Sequence, residues 1–144
     1  MKGISKKNSV KIFLFCFETI FIAVVYIGAA KIGFFLAFFN SQVSPIWPPE
    51  GVGLSALLIR RNKAVLGVFL GALGANYLNN PHIQTALVIG IGNTLGAILN
   101  SKLLLRLTYS ENPLSGSKTL FYFLAFCTIA GSALSAFLGV SSLY

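Results

Sequence analysis

The sequence predicts an all-α, polytopic integral membrane protein: a bundle of about five helical spans, the second short and broken by proline at its outer end. Of the 144 residues, 56% are apolar and only 10% are charged, and the mean hydropathy is +0.80. A soluble domain carries roughly 25% charged residues. This composition therefore excludes a soluble globular enzyme, and the whole chain, residues 1–144, is read as one membrane-embedded domain without a soluble domain.

The first apolar run, residues 12–39, is too long for one perpendicular span. As a single helix it would extend roughly 42 Å, against a hydrocarbon core of about 30 Å. We therefore expect the span to end near Lys31 and the phenylalanine-rich segment after it to lie in the interface. The basic N-terminus resembles a signal peptide, but Glu18 inside the run and the spans that follow favour a retained first span.

Four more apolar runs follow, and the second begins at a proline-rich break, Ser44-Pro-Ile-Trp-Pro-Pro-Glu-Gly51. Proline suits the first turn of a helix, so we expect a helix from near Pro48 to Arg60. At roughly 20 Å it is too short to cross alone. We expect its start to lie below the outer surface and to line a cavity; a plain extracellular turn is the alternative. The remaining runs are residues 64–78, 83–101 and 119–140, with a tight turn at residues 79–82.

The cations predict the orientation. With the N-terminus inside, ten of the eleven Lys and Arg residues fall on the cytoplasmic side, and only Lys31 falls outside. Five spans then place the C-terminus outside. Because the cations occupy the gaps between apolar runs, they indicate membrane topology and argue against nucleic-acid binding.

Several polar residues within or beside the runs are candidate ligand-binding residues. Trp47 fits an interfacial anchor. Glu50 has two interpretations. Either its carboxylate is there because the dipole at the helix N-terminus favours a negative charge, or it is a site for a ligand or a proton. Asn76, Asn93 and Thr94 either bond a neighbouring helix or line a ligand site.

Glu18 lies inside the first span, where a carboxylate is costly unless it is protonated, paired or in a polar interior. We expect its partner to come from another span.

Small residues recur at four-residue intervals in the later spans, as expected where helices pack closely. These stripes are Gly67, Gly71 and Ala75; Gly92, Gly96 and Asn100; and Gly131, Ser135 and Gly139.

No catalytic, metal or cofactor motif is present. The chain has no Asp, no phosphate-binding loop and no cluster of His, Cys and acidic residues. Cys16 and Cys127 lie far apart inside apolar runs, which is neither a disulfide framework nor a metal-ligand spacing. We expect no enzymatic activity.

Three motifs in order resemble the type-one family of membrane-associated sensor domains (MASE). They are the Ser-Pro-x-Trp-Pro-Pro-x-Gly run ending at Gly51, the segment Gly67-Val-Phe-Leu-Gly-Ala72 with Asn76, and Gly92-Asn-Thr-Leu95. The residue that follows, often acidic in the family, is Gly96 here. The residues of this chain that match positions of the family motifs are Trp47, Pro48, Pro49, Gly51, Gly71, Asn76, Gly92, Asn93 and Thr94.

The resemblance implies a multi-pass sensory input module of the bacterial inner membrane. Family members are typically fused to a cytoplasmic histidine kinase, diguanylate cyclase or phosphodiesterase. The family domain usually has more spans, so we expect this chain to be its N-terminal part. Such a part would work with a kinase, a cyclase or a missing half-domain; homodimerisation stays open.

The alternative is a small substrate-binding subunit of a multi-part membrane transporter. Broken helices and a buried acid suit transport equally well. Uptake of a solute and dependence on an ATPase partner would distinguish it. A nonfunctional remnant is the third interpretation.

Overall fold

A computed structural model describes residues 6–36 and 47–108, and this part of the chain is all helical. Four α-helices are joined in part by a 3-10 turn at Arg61–Ala64. The helices are α1 (Lys6–Phe35), α2 (Pro48–Arg60), α3 (Val65–Asn79) and α4 (Ile83–Thr108). The all-α prediction holds for these residues. The fifth apolar run, residues 119–140, lies outside the described residues.

The first helix continues past Lys31, where the sequence predicts that the membrane span ends, and stays α-helical to Phe35. Lysine is a good helix former, and its long side chain can place the ammonium group away from the apolar surface, so a single charge does not break the helix. The distance from Lys11 to Lys31 along α1 is about 30 Å, which matches one hydrocarbon core.

Two helices are long and apolar enough to cross a membrane, namely Asn8–Phe35 and Ile83–Arg106. Only 11% of the apolar window of α1 is buried, against 44% of the window of α4. α2, with 13 residues, is about 20 Å long. It begins at Pro48 and ends at Arg60, as the two prolines and the basic cluster predict.

α1 and α3 run in the same direction and pack through glycines. Gly67 lies against Ile22, and Gly71 lies against Tyr26. A Cβ atom at Gly71 would be 2.6 Å from the Tyr26 Cβ, so only glycine permits this approach. The small-residue stripe of α3 therefore is a packing surface. The buried core consists of Tyr26, Ala30, Leu57, Ala64, Val68, Ala72, Ala75 and Ala97.

α2 runs opposite to α1, because Trp47 lies beside Gly33 and Arg60 bonds Glu18 near the other end. α4 packs on both α2 and α3. The turn between α3 and α4 is tight, as predicted, with the His82 N–H donating to the Asn80 carbonyl at 2.8 Å.

Candidate ligand-binding site

Trp47 precedes α2 and is seated on α1. Its ring atom Cε3 would be 2.9 Å from a Cβ at Gly33, so the missing side chain makes room for the indole. The Phe34 ring meets it edge to face, with ring centroids 5.0 Å apart. Because prolines occupy the first two positions of α2, the backbone that follows Trp47 is held in helical φ.

Tyr26 lies in the middle of α1 with only 1% of its surface exposed. Its hydroxyl is hydrogen-bonded to the Trp47 side chain and also faces the Asn93 amide. An indole can only donate, so the Tyr26 oxygen accepts from Trp47. Asn93 Nδ2 is buried and has no acceptor within hydrogen-bonding distance among the described residues.

Glu50 occupies the first turn of α2, where the helix dipole favours a carboxylate. Its backbone N–H donates to the Trp47 carbonyl at 3.1 Å. Its side chain reaches α4, where Asn100 Nδ2 donates to Glu50 Oε1 at 3.1 Å. Asn100 is 2% exposed, so the donor of this bond lies inside the bundle.

Five side chains from α1, α2 with its N-cap, and α4 thus meet in one place. We call Tyr26, Trp47, Glu50, Asn93 and Asn100 the Tyr26 cluster. It offers a carboxylate, two amides, a phenol and an indole, which are groups that can form hydrogen bonds with a ligand. The cluster contains no pair of nucleophile and base. In the described ranges no three His, Cys, Asp or Glu residues group as metal ligands.

The predicted ligand residues divide into two sets. Trp47, Glu50 and Asn93 join the Tyr26 cluster. The other two bond their own helices: Asn76 Nδ2 donates to the Ala72 carbonyl at 2.8 Å, and Thr94 Oγ1 donates to Gly90 at 2.7 Å. These bonds occupy one donor on each side chain, and neither crosses to another helix.

Sequence reasoning did not place Tyr26 in the site and assigned Asn100 only to a packing stripe. Both carry a signal that could have found them. Tyr26 carries a hydroxyl within a mostly apolar run, and a buried tyrosine usually finds a partner for its hydroxyl. Asn100 lies on α4 seven residues after Asn93, two turns along the same face.

The motif glycines and prolines differ in their packing. Gly67 and Gly71 allow α1 to pack closely against α3. Gly92 and Gly96 are buried on α4. Pro49 is buried at the start of α2 and Pro48 is half-buried. Gly51 is exposed, and a Cβ there would meet nothing within 4 Å.

The comparison with family models matches residues 19–144 to MASE1. No curated protein and no solved structure is significantly similar to this chain. MASE1 is a membrane sensor domain without catalytic activity, generally an input module for signalling enzymes. Because the match covers most of the chain, including every helix that carries the Tyr26 cluster, the protein belongs to the MASE1 family of membrane sensor domains.

Proposed function

We propose that this protein is a sensory input module of the bacterial inner membrane, passing a ligand- or membrane-derived stimulus to a cytoplasmic kinase or cyclic-di-GMP enzyme. The observation that carries the proposal is the Tyr26 cluster, which joins three helices through polar groups inside an apolar bundle. Buried polar groups in a membrane are costly and mark functional sites. Asn93 Nδ2, a buried donor without an acceptor among the described residues, supports a ligand that presents an acceptor oxygen.

The short second helix is the element that would transmit the stimulus. Its N-terminal end carries Trp47 and Glu50 in the cluster, and its other end carries Arg60 bonded to Glu18. A helix of this length moves as one rigid element. A ligand that binds one arrangement of the cluster more tightly than another would shift α2 and change the contacts at its far end.

The proposed orientation places that far end in the cytoplasm. Arg60, Arg61 and Lys63 are at that end of α2, and an excess of cations is typical of cytoplasmic loops. A signal received at the cluster would therefore arrive on the side where a kinase or cyclase works.

The first experiment is a mild-detergent purification of the tagged full chain from its own host, read by peptide mass spectrometry. A co-purifying kinase, cyclase or second half-domain supports the proposal. A co-purifying ATPase with a coupling subunit overturns it in favour of transport.

The second experiment tests the site. Asn93→Leu is compared with Gly51→Ala, a motif position where the added methyl group meets nothing within 4 Å. The output of the partner enzyme, as phosphorylated kinase or cellular cyclic-di-GMP, should lose its response in the first variant and keep it in the second. An unchanged response in Asn93→Leu would remove the cluster from the sensing site.

A further inference from the structure

A pocket lies between α1 and α3 at the Lys31 end of the bundle, separate from the Tyr26 cluster. Its volume is about 180 Å³. The walls are apolar, formed by Ile27, Ala30 and Phe34 of α1 with Ala75 and Leu78 of α3, and Lys31 and Asn79 are its polar groups. We call this the Lys31 pocket. Its size corresponds to about six water-sized groups.

We propose that the Lys31 pocket binds an acidic phospholipid of the surrounding bilayer, with the headgroup phosphate on Lys31 and an acyl chain along Ile27 and Leu78. Binding of a lipid at this pocket does not depend on the stimulus that the Tyr26 cluster receives.

The depth of the pocket fits this occupant. Trp47 contacts Gly33, two residues after Lys31, and tryptophan is enriched where headgroups meet hydrocarbon. Ile27 lies about 6 Å deeper along α1. Leu78 is 67% exposed, so the chain-binding wall faces outward from the described bundle. One lipid could therefore span the pocket from the headgroup level into the hydrocarbon.

The charge of the pocket selects the headgroup. Among the described residues, Lys31 is the one Lys or Arg at this end of the bundle, and it has no ion-pair partner there. The acyl contact cannot discriminate, because lipid tails are as apolar as the protein wall. A headgroup with a net negative charge is attracted to the Lys31 ammonium. In a zwitterionic headgroup, the lipid's own cation competes with Lys31 for the phosphate. One lysine near the surface corresponds to about a fivefold preference.

The local lipid composition can be read at the pocket itself, because Trp47 is the single tryptophan of the chain and packs on Phe34, which lines the pocket. The full chain is reconstituted in equal mixtures of phosphatidylglycerol and phosphatidylcholine. Either lipid in turn carries bromine on its acyl chain, which quenches nearby tryptophan. Cations at the far end of the bundle do not affect this readout.

We expect brominated phosphatidylglycerol to quench Trp47 more than brominated phosphatidylcholine, with a local enrichment of about fivefold. Lys31→Gln should abolish the difference and Lys31→Arg should keep it. Lys102→Gln removes an exposed cation near the far end of α4 and should also keep it. An unchanged Trp47 emission maximum shows that the variants remain folded.

Three results would overturn the proposal. The first is equal quenching by the two lipids in the unsubstituted chain, and the second is a preference that survives in Lys31→Gln. The third is loss of the preference in excess inorganic phosphate but not in chloride of equal ionic strength, which would make the pocket a site for soluble phosphate.

Discussion

Glu18 in α1 is ion-paired with Arg60, the last residue of α2. Arg60 Nε donates to Glu18 Oε2 at 3.1 Å, and Nη2 contacts the other carboxylate oxygen. Glu18 lies seven residues beyond Lys11, about 10 Å along the helix. The pair gives an acid within the first span the partner from another helix that its position requires, and it attaches the end of α2 to α1.

We expect this pair to stabilise the fold, because a carboxylate within a span is costly unless it is paired. A double-mutant cycle of Glu18→Gln and Arg60→Gln should give a favourable coupling free energy of about 0.6–2 kcal/mol. Unfolding in mixed detergent and dodecyl sulfate, followed by Trp47 fluorescence, measures it. The cycle with Arg61→Gln is the control and should give no coupling; equal coupling in both cycles would contradict a specific pair.

Gly71→Ala should destabilise the bundle. The added methyl group would lie 2.6 Å from the Tyr26 Cβ, an atom that cannot move without its backbone. Overpacking of this kind costs about 1–3 kcal/mol. Gly51→Ala, in open space, should be neutral or slightly stabilising, since alanine favours helix. Equal unfolding midpoints for the two variants would show that α1 and α3 are not packed through Gly71.

Tyr26→Phe tests the polar centre of the cluster. It removes the hydroxyl and leaves the Trp47 indole N–H and the Asn93 side chain without that partner. We expect a loss of about 1–2 kcal/mol in the free energy of unfolding and a shift of the Trp47 emission maximum. Tyr77→Phe is the matched control, because Tyr77 is 44% exposed. The hydrogen-bonded cluster is refuted if Tyr26→Phe behaves like Tyr77→Phe.

Arg61 carries backbone strain. Its φ is 54° and its ψ is −140°, a conformation that side chains other than glycine rarely adopt. Arg61→Gly should therefore be more stable than Arg61→Ala by about 1 kcal/mol, since both remove the charge and only glycine relieves the strain. Thermal unfolding in detergent compares them. A glycine variant no more stable than the alanine variant would mean that the joint between α2 and α3 is unstrained.

The orientation can be tested with single cysteines in a Cys16→Ser, Cys127→Ser background. His82 is exposed in the turn between α3 and α4, and Asn62 is exposed in the 3-10 turn after α2. A membrane-impermeant maleimide should label His82→Cys in intact cells, and Asn62→Cys only after permeabilisation. The reverse pattern would invert the proposed topology.

The helix boundaries were predictable where they depend on local chemistry. Pro48 begins α2, the basic cluster at Arg60 ends it, and Pro81 separates α3 from α4. The all-helical class and the membrane environment followed from composition and run length, because an apolar chain with few charges cannot form a water-facing surface. The end of α1 was not predictable in this way, because Lys31 predicts where the span ends and the helix continues to Phe35.

The membership of the candidate site was less predictable. Trp47, Glu50 and Asn93 lie in the Tyr26 cluster, whereas Asn76 bonds its own helix. A polar side chain in a span can form its hydrogen bond with the backbone of its own helix or with a neighbouring helix. Which partner it uses depends on how the helix is rotated about its axis.

The sequence by itself determined that this chain forms apolar helices, where most of them begin and end, and which small and polar residues are available for contact. Only the tertiary structure decided that Tyr26 meets Gly71, that Glu18 meets Arg60 and that Asn100 bonds Glu50. The physical reason is that α1 and α3 are apolar around most of their circumference. The spacing of their apolar residues therefore does not identify the face that packs inside the bundle. Their rotation is set by close packing between helices.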